Sequence, residues 1–170
     1  MFKVLVAATA MVVLATASQA KPKQVAKHSN WSVLCDRKTG ECSATQKLRA
    51  AGKDTIEISG FPVQAGEAAA GLEITVPGNA LLKPGITISI DGGTLLGYDY
   101  TVCQKSRCLI QLGLTKKTLK KYLSGKTGEI HYYLFDDPYV HRTARFSLSG
   151  FSAAFADVEH RAGPRRVHSH

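Results

Sequence analysis

Four cysteines are the residues of this sequence with the most definite chemistry. They form two close pairs, Cys35 with Cys42 and Cys103 with Cys108, and each pair encloses a polar, turn-like stretch. Neither spacing is the C-x-x-C of redox enzymes or the close spacing of zinc ribbons. Four cysteines allow three pairings, among which sequence alone does not select, although pairing within each close pair needs the least chain rearrangement. We therefore expect structural disulfides rather than a redox or metal site.

The first twenty residues predict the compartment in which these cysteines lie. Lys3 precedes an almost unbroken apolar run over residues 4–15, and Ser18 and Ala20 are the small residues that a signal peptidase requires. The run is shorter than the roughly twenty residues of a membrane span, so an uncleaved anchor is the weaker alternative. We expect a signal peptide over residues 1–20, cleaved near Ala20. The mature chain would then be periplasmic, at the outer surface or secreted, where disulfides persist.

Histidines are the next residues with the capacity for chemistry. His168 and His170 lie at the C-terminus, where they could capture copper, nickel or zinc. His131 and His141 share one face of a predicted hairpin but lack a defined third ligand. We expect solvated histidines, no metal site and no cofactor. A periplasmic metal-handling protein that uses the histidine-containing tail is the alternative function.

A basic surface is the main candidate for partner binding. Leu119, Tyr122 and Leu123 form an apolar stripe at helical spacing, between a potential N-cap at Thr115 and a potential stop at Gly125. Four lysines cover the opposite face of this helix, and two arginines follow in the tail. The candidate residues for an anionic partner are Lys116, Lys117, Lys120, Lys121, Arg165 and Arg166. A solvated helix face is the alternative.

The overall charge agrees with an anionic partner. The formal net charge is +9, which falls to +8 when Lys3 leaves with the signal peptide. A basic exported protein meets phospholipid headgroups, lipopolysaccharide or host-surface glycans. Specific nucleic-acid binding is not expected, because aromatic residues are not interleaved with the positive charge. The partner is an unknown envelope or host-surface component, and the oligomeric state stays open.

The rest of the chain predicts a β-sandwich or barrel of one domain. Removing 20 of 170 residues leaves 150, the usual size of a single domain. Short β-prone runs alternate with Gly, Pro, Asp and Asn from Trp31 onward, which is typical of antiparallel all-β folds. We expect a flexible N-terminus over 21–30, a β-domain over 31–158 and a basic tail over 159–170. Trp31 is expected to anchor the core, and no later segment is long and apolar enough to span a membrane.

Two hairpins have a predicted register. In the first, a three-residue loop would place Ile88 opposite Tyr98 and Ile86 opposite Tyr100, with positive φ at Gly92 and Gly93. In the second, an odd-length loop would place residues 130, 132 and 134 on the face of residues 140, 144, 146 and 148. That register puts His131, His141, Thr143 and Arg145 on the outer face, and Arg142 on the apolar face.

Catalytic motifs give little support for an enzyme. The sequence contains no G-x-S-x-G, H-E-x-x-H, phosphate loop or dinucleotide fingerprint. Asp136 and Asp137 precede Pro138 and indicate a turn rather than an acid–base pair. We expect a protein without enzymatic activity, and an envelope hydrolase of an unrecognised type is the third hypothesis.

The sequence resembles the invasion-associated locus B family of exported bacterial proteins. The resemblance rests on an ordered set of motifs along the chain. They are Trp31-Ser-Val-Leu-Cys35 with Cys42, Ile74-Thr-Val-Pro77-Gly78, Leu82-Lys-Pro-Gly85, Ile88-Ser-Ile-Asp91-Gly92, Tyr100-Thr-Val-Cys103 with Cys108, and Phe146-Ser-Leu-Ser-Gly150-Phe151-Ser-Ala-Ala-Phe155. The basic tail after Asp157 is not part of this pattern.

The resemblance implies an all-β fold, an immunoglobulin-like antiparallel β-sandwich to which the sequence adds one short helix. It also implies a place in the periplasm or at the outer surface of a Gram-negative bacterium, with a link to virulence through invasion of host cells. It supplies no catalytic residues. The leading hypothesis is an exported, disulfide-stabilised, non-enzymatic interaction protein of the cell envelope.

Overall fold

The computed structural model describes residues 21–49, 55–162 and 165–166. The strands are β1 (Lys23–His28), β2 (Trp31–Cys35), β3 (Cys42–Arg49), β4 (Thr55–Ala65), β5 (Ala68–Pro77), β6 (Ile86–Ile90), β7 (Leu96–Tyr98), β8 (Val102–Gln104), β9 (Arg107–Thr115), β10 (Thr127–Leu134), β11 (Asp137–Ser147) and β12 (Arg165–Arg166). The helices are α1 (Lys116–Ser124) and α2 (Phe151–Ala162). The predicted signal peptide, residues 1–20, lies outside the described residues. None of the described helices is long and apolar enough to cross a bilayer.

Two sheets enclose the core. The larger follows the order β1-β2-β3-β4-β5-β9-β8, with β12 added in parallel to β4, and the smaller follows β11-β10-β6-β7. All other neighbours pair antiparallel. Along β5 and β10, buried and more exposed residues largely alternate, because successive side chains of a strand point to opposite faces. The predicted antiparallel β-sandwich is confirmed.

Trp31 is the anchor of the core, as the sequence predicts. Its side chain is fully buried, and its ring centroid lies 4.6 Å from that of Phe151. Its indole Nε1 donates a hydrogen bond of 2.8 Å to the backbone oxygen of Ser147. A buried indole N–H needs such an acceptor. One residue of β2 therefore joins the larger sheet to the end of β11 and to α2.

The expectation of a single short helix is wrong, because a second helix follows β11. This second helix, α2, begins at Phe151 and ends at Ala162. Phe151, Ala154, Phe155 and Val158 are all buried, at the i, i+3, i+4, i+7 spacing of one helix face. Gly60 of β4 makes room for this packing, since a Cβ there would lie 2.9 Å from the Phe151 ring.

Regular elements of the structure lie across both predicted domain boundaries. The segment expected to be a flexible N-terminus contains β1, which pairs with β2 through Lys27 opposite Ser32 and His28 opposite Trp31. Only Ala26 and His28 of this edge strand are half-buried, and its other residues are exposed. The strand therefore needs few apolar residues, and its sequence shows little alternation of apolar and polar positions. At the other end, α2 continues to Ala162, and Val158 is the last of its described residues to be buried.

The first hairpin has the predicted facing but a different register. Ile86 lies opposite Tyr98 and Ile88 opposite Leu96, a shift of two residues that keeps the same side chains on each face. Positive φ falls on Asp91 (51°) and Gly92 (68°) rather than on both glycines. The reason is the Asp91 carboxylate, whose Oδ1 accepts hydrogen bonds of 2.9 Å from the backbone N–H groups of Lys126 and Thr127.

In the second hairpin, residues 130 and 144 share a face of the sheet as predicted, but the pairing contains a register shift. Ile130 lies opposite Ala144 and His131 opposite Thr143. The turn itself has two residues, because Leu134 lies opposite Asp137, and a register shift follows between residues 132 and 134. The expectation of an odd-length loop is therefore wrong, since a bulge can restore the register that loop parity alone would forbid.

Candidate anion-binding surface

Helix α1 forms as the sequence predicts. The Oγ1 of Thr115 accepts a hydrogen bond of 3.3 Å from the backbone N–H of Thr118, and Leu119 and Tyr122 are buried. Gly125 ends the helix with φ −72°, so it is not needed for a left-handed turn. It is needed for space, because a Cβ there would lie 2.7 Å from the Lys121 carbonyl oxygen. The helix connects β9 of the larger sheet to β10 of the smaller one.

The four lysines of α1 form an exposed basic face, which we call the lysine face. Lys116, Lys117, Lys120 and Lys121 are all exposed. The ion pairs found within the described ranges involve other basic side chains. Lysines four positions apart repel each other, which costs a few tenths of a kcal/mol per pair. An anion placed on this face relieves that repulsion.

Two residues of the lysine face line a cleft. This cleft, with a volume of about 1010 Å³, is lined by Lys116 and Lys117 of α1 and by Val63 and Gln64 of β4. Arg165 and Arg166 pair through their backbone with the same two residues of β4. Of the six candidate residues, Lys116 and Lys117 line this cleft, and Arg165 and Arg166 lie near it through their backbone pairing.

Sequence reasoning missed the acidic residues of this cleft. Glu67, in the turn between β4 and β5, and Glu159 of α2 line it together with the two lysines. Glu67 lies about fifty positions before α1, so no local pattern predicts that the two share a cleft. Glu159 falls in the segment predicted to be a tail, and the helical spacing of Phe151, Phe155 and Val158 is the pattern that would have placed it on a helix.

Both disulfides are present with the local pairing. Cys35 and Cys42 lie opposite each other at the adjoining ends of β2 and β3, with an S–S distance of 2.06 Å. Cys103 and Cys108 lie opposite each other on β8 and β9, with an S–S distance of 2.02 Å. Each bond closes a hairpin of the larger sheet, so these cysteines have a structural role.

The histidines do not behave as simple solvated residues. The ring of His131 stacks on that of His141 at 4.8 Å between centroids, and its Nδ1 lies 3.1 Å from the Thr143 hydroxyl. Burial and then the neighbouring His141 lower the pKa of His131, and the negative charge of Glu129 partly offsets this shift. His28 pairs with Asp157, which corrects the expectation of a solvated side chain.

No metal centre is found in the part of the chain that the structure describes. Within these ranges, no three His, Cys, Asp or Glu side chains come together as metal ligands would. His168 and His170, the residues of the alternative metal-binding function, lie outside them. The two turn aspartates have separate partners, since Asp136 accepts a hydrogen bond from Asn79 and Asp137 pairs with Arg142.

Comparisons with known proteins agree with the fold. The family model described as Invasion associated locus B (IalB) protein matches residues 31–159. The crystal structure of invasion associated protein B from Bartonella henselae is similar, with a TM-score of 0.61 and 16% sequence identity over 82% of this chain and 96% of that chain. A search of curated proteins finds no match. The chain belongs to the invasion associated locus B family.

Proposed function

We propose that this protein is an exported, non-enzymatic interaction protein of the bacterial envelope that binds an anionic partner on its lysine face. One observation carries the proposal. Four lysines are exposed together on a helix whose opposite face, through Leu119 and Tyr122, is fixed in the core. The charge is therefore held in a rigid array instead of on a mobile segment.

Export is supported by the two disulfides and by the family. Disulfides persist in oxidising compartments such as the periplasm and the cell surface. Residues 1–20 have the composition of a signal peptide. The solved relative is named as an invasion associated protein, and a contribution of this chain to host-cell invasion is part of the proposal. No catalytic group is assigned, and the partner supplies negative charge.

The expected strength follows from general electrostatics. A lysine near an anionic lipid surface contributes about 1 kcal/mol, and the attraction decays within a Debye length of about 8 Å at physiological salt. Four lysines on one short helix can act on the same surface together. Arg165 and Arg166 pair through their backbone with Val63 and Gln64, which line the cleft beside Lys116 and Lys117. They are secondary candidates for the same partner.

The test uses the chain from Lys21 to His170 and sedimentation with vesicles. One set of vesicles contains an anionic phospholipid and the other is wholly zwitterionic. Substituting all four lysines of the lysine face by Gln should weaken binding to anionic vesicles by at least roughly tenfold. The matched control replaces four other exposed lysines by Gln, which gives the same net charge. These are Lys23, Lys27, Lys105 and Lys126.

The two variants separate a defined site from general positive charge. The proposal requires that the control variant retain most of its binding and that zwitterionic vesicles bind neither protein. Equal losses in both variants would show that only net charge matters. Absence of binding to anionic vesicles and to lipopolysaccharide would remove the proposed partner class.

A further inference from the structure

Strand β11 lies at the end of the smaller sheet, and in the described part of the chain β10 is its only strand neighbour. Ser147 of β11 shows which backbone groups point to the open edge. Its N–H donates a hydrogen bond of 3.1 Å to Oε1 of Gln46, and its oxygen accepts one of 2.8 Å from Nε1 of Trp31. Thr127, opposite Ser147, uses its oxygen on the other side, where it accepts a hydrogen bond of 2.9 Å from the Asp91 N–H. The backbone groups of Ser147 therefore point away from β10.

The same orientation recurs at every second residue of the strand. Along an antiparallel pair, residues that exchange backbone hydrogen bonds with the neighbouring strand alternate with residues that do not. Ser147 does not exchange them with β10, so neither do Arg145 and Thr143, which lie in the regular part of the same register. Their N–H and C=O groups point to the open edge, and no loop or side chain of the described residues supplies a partner for these groups. Such a row of unpaired groups is a template for another strand.

The amide of Gln46 already acts as an added strand would at one position of this edge. It donates a hydrogen bond of 3.2 Å to the oxygen of Ser147 and accepts the bond of 3.1 Å from the Ser147 N–H. The backbone of an added strand offers the same kinds of donor and acceptor. The edge is thus paired at Ser147 by a side chain and left open at Thr143 and Arg145.

The charge along the open edge indicates the chemistry of its occupant. The side chain of Arg145 is 81% exposed, and its Nε lies 2.7 Å from Oε1 of Glu129 on β10. Oε2 of Glu129 lies 3.5 Å from Nε2 of His131, so one carboxylate is shared between two basic side chains. An acidic side chain on an added strand, opposite Arg145, continues the alternation of charge across three strands.

The same side chains disfavour a second copy of this chain. Antiparallel pairing of two β11 strands about Thr143 would set Arg145 of each copy opposite His141 of the other. Two basic residues directly opposite each other are unfavourable, and most so when the imidazole is protonated. The edge therefore suits an acidic segment better than it suits itself.

We propose that the open edge of β11 binds an extended acidic peptide segment of a partner protein by β-strand addition. The peptide backbone exchanges hydrogen bonds with Thr143 and Arg145, and one of its carboxylates lies beside the Arg145 guanidinium. The formal net charge of +9 adds a long-range attraction for such a segment. This binding uses a different element from the lysine face and does not depend on the proposed function.

The test measures binding of a synthetic peptide of about eight residues, in which glutamate and valine alternate, to the chain from Lys21 to His170. Thr143→Pro should weaken binding at least roughly fivefold, because it removes one outward N–H but no hydrogen bond to β10. Thr143→Val is the matched control, since it loses the same hydroxyl and keeps the N–H. Arg145→Gln should weaken binding roughly two- to fivefold, and it tests the charge even if Thr143→Pro does not fold. Equal affinities of the parent, Thr143→Pro and Arg145→Gln overturn the proposal.

Modified peptides show whether the backbone of the edge is the site. N-methylation of every second residue should abolish binding in one phase and retain it in the other, because only one set of peptide N–H groups faces β11. Equal effects of the two phases overturn strand addition. The variant with Gln at the four positions of the lysine face should keep its affinity for the peptide at physiological salt, and a loss there would place the peptide on the lysine face and overturn the proposal. A dimer in sedimentation that Thr143→Pro dissociates would assign the edge to a second copy and also overturn it.

Discussion

The Nε2 atom of His28 lies 3.0 Å from Oδ2 of Asp157, across 129 positions of sequence. This contact joins β1, the first strand, to α2, the last helix. Asp157 also accepts a hydrogen bond of 2.6 Å from Nε of Arg161, one helical turn later. Both ends of the described domain are therefore fixed by one carboxylate.

Substitution of Asp157 by Asn should lower the free energy of unfolding by about 1 kcal/mol at pH 7. The hydrogen bond from His28, followed by that from Arg161, lowers the pKa of the Asp157 carboxyl. A lowered carboxyl pKa stabilises the fold above the unfolded value of about 3.9, and this gain is lost as the pH falls through the folded value. Urea unfolding should show a constant difference in unfolding free energy between the parent and the variant from pH 7 to about pH 5, and the difference should shrink below about pH 4.

Asp99→Asn is the control, because its pair with Lys83 is exposed. A difference that grows at low pH would contradict this account.

Substitution of Gln46 by Ala should destabilise the protein by about 1–3 kcal/mol. The buried Gln46 amide donates 3.2 Å hydrogen bonds to the backbone oxygens of Asn30 and Ser147, and its Oε1 accepts one of 3.1 Å from the Ser147 N–H. Its loss leaves the Asn30 carbonyl and the Ser147 N–H without this side-chain partner, while Trp31 still donates to the Ser147 oxygen. Chemical denaturation measures the change, with the exposed Gln111→Ala as the matched control. Equal losses of stability in the two variants would show that the buried hydrogen bonds of Gln46 contribute no more than an exposed one.

Removal of the Cys103–Cys108 disulfide by substitution of both cysteines with Ser should cost about 2 kcal/mol. The bond closes a short hairpin, and its main effect in the chain-entropy model is on the unfolded chain. Chemical denaturation with and without reductant measures the contribution of this disulfide to the free energy of unfolding. The reductant should destabilise the parent protein more than the double variant, which retains only Cys35–Cys42. Equal sensitivity of both proteins would show that this bond does not contribute.

Acidification should destabilise the fold through His131. Burial first, and then His141, lower the pKa of this imidazole below its usual value. A base with a lowered folded pKa binds fewer protons in the folded state, so stability falls as the pH drops from about 6.5 and levels off below the folded value. Proton NMR titration should place the pKa of His131 below the ordinary imidazole value of about 6.5, and His141→Gln should shift it upward. A pKa of His131 above that ordinary value would contradict the burial argument.

The fold could be predicted where the pattern is local. Thr115, Leu119 and Tyr122 lie within one short segment and specify α1 without help from the rest of the chain. Helix α2 carries an equally clear spacing in Phe151, Ala154, Phe155 and Val158, although only one helix was predicted from the sequence. Gly150, with φ 88°, marks the change of element in the structure.

Other features depend on contacts that no local pattern contains. The register shift between Tyr132 and Leu134 lets a turn of even length give the facing expected from a loop of odd length. No feature of these residues predicts the shift. The backbone of β12 pairs with Val63 and Gln64, about one hundred positions earlier, and these two residues line the cleft together with Lys116 and Lys117. The basic residues could be predicted from the sequence, whereas this proximity depends on the tertiary structure.

The most direct test of the central claim is the salt dependence of binding to anionic vesicles by the chain from Lys21 to His170. The parent protein should lose affinity steeply as the salt concentration rises, because the attraction to the lysine face is screened. The variant with Gln at positions 116, 117, 120 and 121 should bind weakly with a nearly flat salt dependence. Equal affinities and equal salt dependences of the two proteins would contradict the claim.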